Sequence, residues 1–202
     1  MEHPPQVKTL KAAVVDRREA MQLLMGYNSF NGYVWNKLFD LQLIRENDIR
    51  FHADYPACED TMFVGSYLYH CSRVCVTEEC LYCYRQVSGG ANRGRYSGRK
   101  AYDPKWMSVF EMTEYMADLY KDDAVTAACR LHEVREAGIV LRSMEAAGYH
   151  GADHARLKGI LRRGASLFFR DENSGRSQKL SVLLSCISPK LELAVWKLRN
   201  RK

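Results

Sequence analysis

The spacing of apolar residues divides this chain into a first half of mixed pattern and a second half that is helical throughout. After Tyr102, apolar positions recur every three or four residues, which is the period of an amphipathic helix. This period predicts four helices, over residues 105–121, 124–147, 152–169 and 178–199. We therefore place a boundary near residue 102, with an α/β subdomain over residues 1–102 and a mostly α-helical region over residues 103–202.

The first half combines helix signals with short extended segments. Asp16 and Glu19 have the spacing of a capping box, and Gly26 is suited to end the helix that follows them. Residues 40–47 and 60–71 carry two further helical patterns.

Alternating or β-prone residues predict the strands of this half. Residues 33–39 alternate so that one face of a strand would carry Tyr33, Trp35, Lys37 and Phe39. Residues 73–76 and 81–84 flank a polar turn and predict a hairpin or two neighbouring strands.

The last helical segment, residues 189–202, has an apolar stripe with cations at its end. The stripe comprises Leu191, Ala194, Val195 and Leu198. Trp196 lies beside the stripe, as is typical of a helix that rests on a membrane surface. We expect residues 189–202 either to contact an anionic membrane surface or to pack the stripe on the preceding helices.

The net charge of +6 belongs to the C-terminal quarter of the chain. Residues 153–202 hold 12 Lys or Arg against 4 Asp or Glu, so this segment carries +8 and the rest of the chain −2. Such a segment suits an anionic surface, or forms a solvated helical face, and we expect no specific nucleic-acid partner. No apolar run has the length of a membrane span, and the first residues lack the apolar stretch of a signal peptide. We expect a cytoplasmic location, with any peripheral membrane contact at the inner face.

The seven cysteines raise the question of a zinc site. Four of them have the spacing C-x₃-C-x₄-C-x₂-C, namely Cys71, Cys75, Cys80 and Cys83. Four thiolates can hold zinc, but the short gap between the two pairs favours reduced thiols that pack as small apolar residues. His150 and His154 are four residues apart, and no acidic residue completes a metal site with them in the sequence, so we assign them no role.

Three short motifs follow one another in the first half. The first is GYVWNKLF at residues 32–39, and the second is IRF at residues 49–51 followed by CEDTMF at residues 58–63. The third is LYCYR at residues 81–85, followed by a Gly- and Arg-rich loop. In this order the motifs resemble the C-terminal, acceptor-side half of bacterial family 2 glycosyltransferases of the GT-A fold. The resemblance covers roughly residues 16–100 and implies a partial GT-A-like (Rossmann-like) acceptor half.

The resemblance also implies roles for individual residues. Asp60 would be the catalytic base that takes a proton from the acceptor hydroxyl, with Glu59 supporting it. The substrate-binding residues would be Trp35, Lys37, Tyr84, Arg85 and Arg93. From the residues alone, Asp60 also fits plain helix capping, Trp35 and Phe39 also fit a core, and the arginine loop also fits a solvated segment.

Enzymes of this family bind the nucleotide-sugar in an N-terminal Rossmann-like half that ends in an acidic D-x-D metal motif. This sequence contains no such motif, and Asp122-Asp123 fits a helix cap. We expect the donor and an Mn²⁺ or Mg²⁺ ion to be bound in a complete enzyme, and no metal to be bound by this chain alone. The implied function is sugar transfer from a nucleotide-sugar to a saccharide or lipid-linked acceptor in cell-surface polysaccharide synthesis. The alternatives are a non-catalytic remnant or partner-binding module and, less favoured, a cysteine-rich zinc module.

Overall fold

Helices dominate the structure, a computed structural model that describes residues 12–26, 31–79, 81–85 and 102–200. Of these residues, 66% are helical. Two short strands, β1 (Ala13–Val15) and β2 (Val74–Val76), form an antiparallel sheet. The helices are α1 (Arg17–Met25), α2 (Leu41–Glu46), α3 (Glu59–His70), α4 (Ser108–Tyr120), α5 (Asp123–Ala147), α6 (Ala152–Arg170), α7 (Arg176–Ile187) and α8 (Pro189–Arg199).

The helical character of the second half is confirmed, and several helix ends lie where the sequence predicts them. Asp16 caps α1 by accepting a 2.8 Å hydrogen bond from the backbone N–H of Glu19. Asp122 caps α5 by accepting from the N–H groups of Ala124 and Val125, which confirms the capping interpretation of that acidic doublet. Gly148 ends α5 with φ +68°, a left-handed conformation that glycine adopts without strain.

The buried core consists of two clusters that share helix α5. In the first cluster, α1 and α3 pack against α4 and the start of α5, through residues such as Met21, Val64 and Met116. The second cluster joins the rest of α5 to α6 and α7, through residues such as Leu141, Leu157 and Phe168. Residues from both sides of position 102 therefore contribute to the first cluster.

The strand predictions for the first half were mostly wrong. Residues 33–39 form turns and irregular backbone, and the N–H of Lys37 bonds to the carbonyl of Val34 three residues earlier at 3.2 Å. Strand β2 does exist, but it pairs with β1, and residues 81–84 lie outside any strand. In the described residues this sheet is antiparallel, so a parallel Rossmann-like sheet is not seen there.

The orientation of α8 contradicts one of the two alternatives, in which its apolar stripe packs on the preceding helices. Its buried residues are Pro189, Glu192 and Leu193. Two residues of the predicted stripe, Leu191 and Leu198, are 45% and 62% exposed. The face of α8 that carries Glu192 is buried because the carboxylate of this residue bonds to the buried Arg142 of α5.

Candidate functional site

Asp60 lies in the first turn of α3, and its carboxylate bonds outside that helix. Cys58 occupies the N-cap position and makes no side-chain cap hydrogen bond. The carboxylate of Asp60 instead accepts a hydrogen bond from the backbone N–H of Val34. Plain capping therefore does not describe this residue, because its side chain joins the start of α3 to the turn at residues 31–37.

The start of α3 is itself fixed by α4. The N–H of Ala57 donates to the hydroxyl of Ser108 at 3.4 Å, and further along α3 the hydroxyl of Tyr120 donates to the carbonyl of Gly65 at 2.9 Å. The first turn of α3 is thus held from two sides, by the preceding turn and by the helical half. Such support keeps a functional side chain in one orientation.

Gly32 allows the turn to approach α3 closely. A Cβ atom on Gly32 would lie 2.9 Å from the backbone Cα of Thr61 and would overlap its side chain. Backbone atoms cannot move aside as a flexible side chain can, so any larger residue at position 32 would push the turn away from Asp60.

Lys37 stabilises the same turn. Its ammonium donates to the carbonyls of Asn31 and Tyr33, each at 2.7 Å, and to the side-chain oxygen of Asn36 at 2.9 Å. An ammonium group has three hydrogens. Lys37 therefore stabilises the turn, and its role in substrate binding stays a prediction.

Burial lowers the pKa of Lys37 and raises the pKa of Asp60. Desolvation lowers the pKa of Lys37 from 10.5 to about 8, and the negative charge of Asp60 partly opposes this. Desolvation, and then the neighbouring Glu59 carboxylate, raise the pKa of Asp60 from 3.8, while the Val34 hydrogen bond and Lys37 oppose that rise. The difference between the two pKa values is therefore smaller than for exposed groups. A raised pKa suits a carboxylate, such as that of Asp60, that must accept a proton during a reaction.

Aromatic rings surround Trp35, and we call Tyr33, Trp35, Tyr82 and Tyr84 the Trp35 cluster. The ring centroid of Trp35 is 5.1 Å from that of Tyr33 and 4.8 Å from those of Tyr82 and Tyr84. The three tyrosines are between 42% and 54% exposed. Trp35 belongs to neither core cluster. The rings of the Trp35 cluster therefore form a partly open surface outside the core.

The other predicted residues have different positions. Phe39 packs edge-on against Phe63 and Tyr67, on the core side. Glu59 and Arg85 are exposed. Arg93 and the rest of the arginine-rich loop lie outside the described residues.

Within the described residues, Glu59 and Asp60 belong to no group of three side chains that could hold a metal ion. Cys71, Cys75 and Cys83 likewise form no such group, while Cys80 lies outside the described residues. The described part of the chain does bring one such group together, namely Glu145, His150 and His154.

Sequence reasoning missed two features of the site. The Val34 N–H that binds Asp60 and the close contact of Gly32 with Thr61 both depend on the turn that replaces the predicted strand. The glycine that opens the GYVWNKLF motif was the available signal for a close backbone approach.

Comparisons with known proteins identify no relative that would assign a function to this chain. Within the described residues, no helix is both long and apolar enough to cross a membrane. The chain matches no protein-family model, no curated protein and no solved structure.

Proposed function

We propose that the Asp60 site is the acceptor side of a glycosyltransferase, as the resemblance to family 2 enzymes implies. One observation supports this most directly: Asp60 binds the N–H of Val34, and the next residue is Trp35, the centre of the exposed aromatic cluster. A carboxylate next to an open aromatic surface suits a saccharide, whose C–H faces stack on rings while its hydroxyl groups meet the carboxylate.

Sugar transfer would require Asp60 to act as a base. As the acceptor hydroxyl oxygen attacks the anomeric carbon, the bond to the nucleotide breaks and the hydroxyl proton must leave. Asp60 would take that proton, and its raised pKa makes it a stronger base than an exposed aspartate. Lys37 would keep the turn and the carboxylate in place.

The donor would be a nucleotide-sugar, and the acceptor a saccharide or lipid-linked saccharide. Enzymes of the family that this sequence resembles hold the nucleotide with a parallel sheet and a divalent ion, Mn²⁺ or Mg²⁺. In the described residues the sheet is a short antiparallel pair. The proposal therefore assigns these residues to acceptor binding and proton transfer.

An array of cell-surface oligosaccharides tests the acceptor role. We expect the wild-type chain to retain some of these saccharides and Trp35→Ala to lose them. Tyr115→Ala is the matched control, because Tyr115 is 41% exposed and lies on α4 away from the cluster. Equal retention by wild type and Trp35→Ala, or none by the wild type, would contradict the proposal.

A second candidate function is peripheral binding to an anionic membrane through α7 and α8. Apolar side chains on these two helices are between 43% and 67% exposed, namely Leu180, Leu183, Ile187, Leu191 and Leu198. Lys190, Lys197 and Arg199 are exposed on α8. Apolar groups next to cations suit the headgroup region of an anionic bilayer, where a lipid-linked acceptor would be found.

A further inference from the structure

We propose that Glu145, His150 and His154 bind a divalent transition-metal ion such as Zn²⁺ at the turn between α5 and α6. The spacing of residues along the sequence does not predict this metal site, because Glu145 lies nine positions before His154 and the two belong to different helices. The fold corrects that interpretation. It places the carboxylate of Glu145 2.7 Å from Nε2 of His154.

The chain reversal after α5 creates this contact. Gly148 ends α5 in the left-handed conformation, and the N–H of Tyr149 bonds back to the carbonyl of Met144 at 2.9 Å. Gly151 then caps α6, and the N–H of His154 bonds to its carbonyl at 3.1 Å. The last turn of α5 therefore meets the first turn of α6.

Contacts with Tyr102 hold this turn from outside. Its hydroxyl donates to the carboxylate of Asp153 at 2.9 Å, and its ring lies 4.8 Å from the ring of Tyr149. These two contacts hold the residues on either side of His150, so the ligands are arranged before any ion arrives.

The distances between the ligand atoms fit one metal ion. Nδ1 of His150 lies 3.8 Å from the same carboxylate oxygen of Glu145, and the three ligand atoms all lie within 4.8 Å of one another. In a tetrahedral zinc site the bonds measure about 2.0–2.2 Å, so neighbouring ligand atoms lie about 3.3 Å apart. The separations of 2.7 and 3.8 Å lie on either side of that value.

Burial of the carboxylate supports the same conclusion. The side chain of Glu145 is only 4% exposed, and its charged neighbours within 4 Å in the described residues are the two imidazoles. A buried carboxylate needs a positive charge beside it. An imidazole supplies that charge only when it is protonated, whereas a metal ion supplies it while both imidazoles are neutral.

The ligand set narrows the choice of ion. Two imidazoles and one carboxylate are the protein ligands of many zinc and iron(II) sites, and they leave coordination positions for water or another ligand. The side chain of His150 is 49% exposed, so this open side faces solvent. The site is separate from Asp60, and the proposal does not depend on the glycosyltransferase assignment.

Calorimetry with ZnCl₂ on the chelator-treated chain tests the site. We expect a single saturable site in the wild type, accompanied by a rise in Tm. Glu145→Gln, which keeps the side-chain volume, and His154→Ala should each weaken binding at least about tenfold. His70→Ala, an exposed histidine at the end of α3, is the matched control and should bind as the wild type does.

X-ray absorption of the zinc-loaded chain separates this site from a cysteine site. Zinc bound here should have only nitrogen and oxygen neighbours at about 2.0–2.2 Å, whereas thiolate ligands lie at about 2.3 Å. Sulfur neighbours, no saturable binding, or unchanged binding by Glu145→Gln and His154→Ala would each overturn the proposal. Retained helical circular dichroism in the variants shows that a loss of binding is not a loss of fold.

Discussion

The guanidinium of Arg142 lies 2.9 Å from the carboxylate of Glu192 and joins the C-terminal part of α5 to the first turn of α8. Both residues are buried, with 8% and 3% of their surface exposed. The hydroxyl of Ser181 donates to the same carboxylate at 2.6 Å, and the guanidinium lies 5.0 Å from the ring centroid of Trp196. This pair sets the orientation of α8. Glu192 lies outside the apolar stripe that the sequence predicts, yet the pair buries it in the core.

Removing one partner of this pair should destabilise the protein. We expect Glu192→Ala to lower the free energy of unfolding by about 3–5 kcal/mol, because it leaves a buried guanidinium without its counter-charge. Urea denaturation measures this. The matched control is Glu114→Ala, which breaks the exposed pair of Glu114 with Arg156 and should cost at most about 1 kcal/mol. Similar losses in the two variants would contradict the role of burial.

Lys37 should titrate well below an ordinary lysine. Its pKa of about 8 should appear in a ¹³C NMR titration of its side-chain carbons. Asp60→Asn should lower this pKa further, because it removes the negative charge that favours the ammonium form. An unchanged Lys37 pKa in Asp60→Asn would show that the two groups do not interact.

The lowered pKa of Lys37 also makes the free energy of unfolding depend on pH. The folded pKa lies below that of an unfolded lysine, so the unfolded chain binds more protons between about pH 8 and 10.5. The Lys37 contribution to stability should therefore increase as the pH rises through this window. Urea denaturation at both ends of the window, compared between the wild type and Lys37→Met, isolates that contribution.

Gly32→Ala should displace the turn from α3. The added Cβ meets the backbone of Thr61, and such overpacking costs about 1–3 kcal/mol. Gly138→Ala in α5 is the control, because its Cβ would lie 3.7 Å from Ser185 Oγ, an ordinary contact, and alanine favours the helix by about 0.5–1 kcal/mol. We expect opposite signs in urea denaturation. A stable Gly32→Ala chain with unchanged Trp35 fluorescence would contradict this account.

UDP-sugars should bind weakly to this chain, even with Mn²⁺. The reason is that the proposed function assigns the described residues to acceptor binding, and their sheet is a short antiparallel pair. Calorimetry should use Glu145→Gln beside the wild type, since heat from metal binding at the α5–α6 turn would otherwise be confused with nucleotide binding. Tight, nucleotide-dependent binding in both chains would show that a donor site exists.

Vesicle co-sedimentation tests the membrane surface. Deleting residues 189–202 would remove buried Glu192 and Leu193, so surface substitutions are the better probe. Lys197→Glu with Arg199→Glu should abolish binding to anionic vesicles, because each cation near such a surface contributes about 1 kcal/mol. Leu38→Gln, at a fully exposed leucine outside this surface, should have no effect. Binding that is insensitive to salt or to the charge reversal would exclude the membrane role.

Local signals predicted the helices, whereas contacts between distant segments decided the rest. Asp16, Asp122 and Gly148 mark helix ends because their effect reaches only three or four residues. The alternating aromatics at residues 33–39 predicted a strand. Among the described residues no strand pairs with this segment, and Lys37 closes a turn there.

Prediction of the candidate sites has the same limit. The motif order indicated that Asp60, Trp35 and Tyr84 belong to one site, although it could not show that the backbone N–H of Val34 bonds to Asp60. Glu145 and His154 lie nine positions apart, and only the geometry of the Gly148 turn makes them neighbours. Residue spacing alone does not specify the direction in which a chain leaves a helix.

The pairing of β1 with β2 implies an order of events during folding. Register pairs Val14 with Cys75, so the sheet closes a long loop that contains the turn at residues 31–37 and α3. Closing such a loop costs entropy, while neighbouring helices in α4–α8 meet through short connections and assemble sooner. Trp35 should therefore acquire its final fluorescence after Trp106 in a refolding experiment with single-tryptophan variants. The segment around Asp60 would then be the last part to take shape and the first to be lost under mild denaturant.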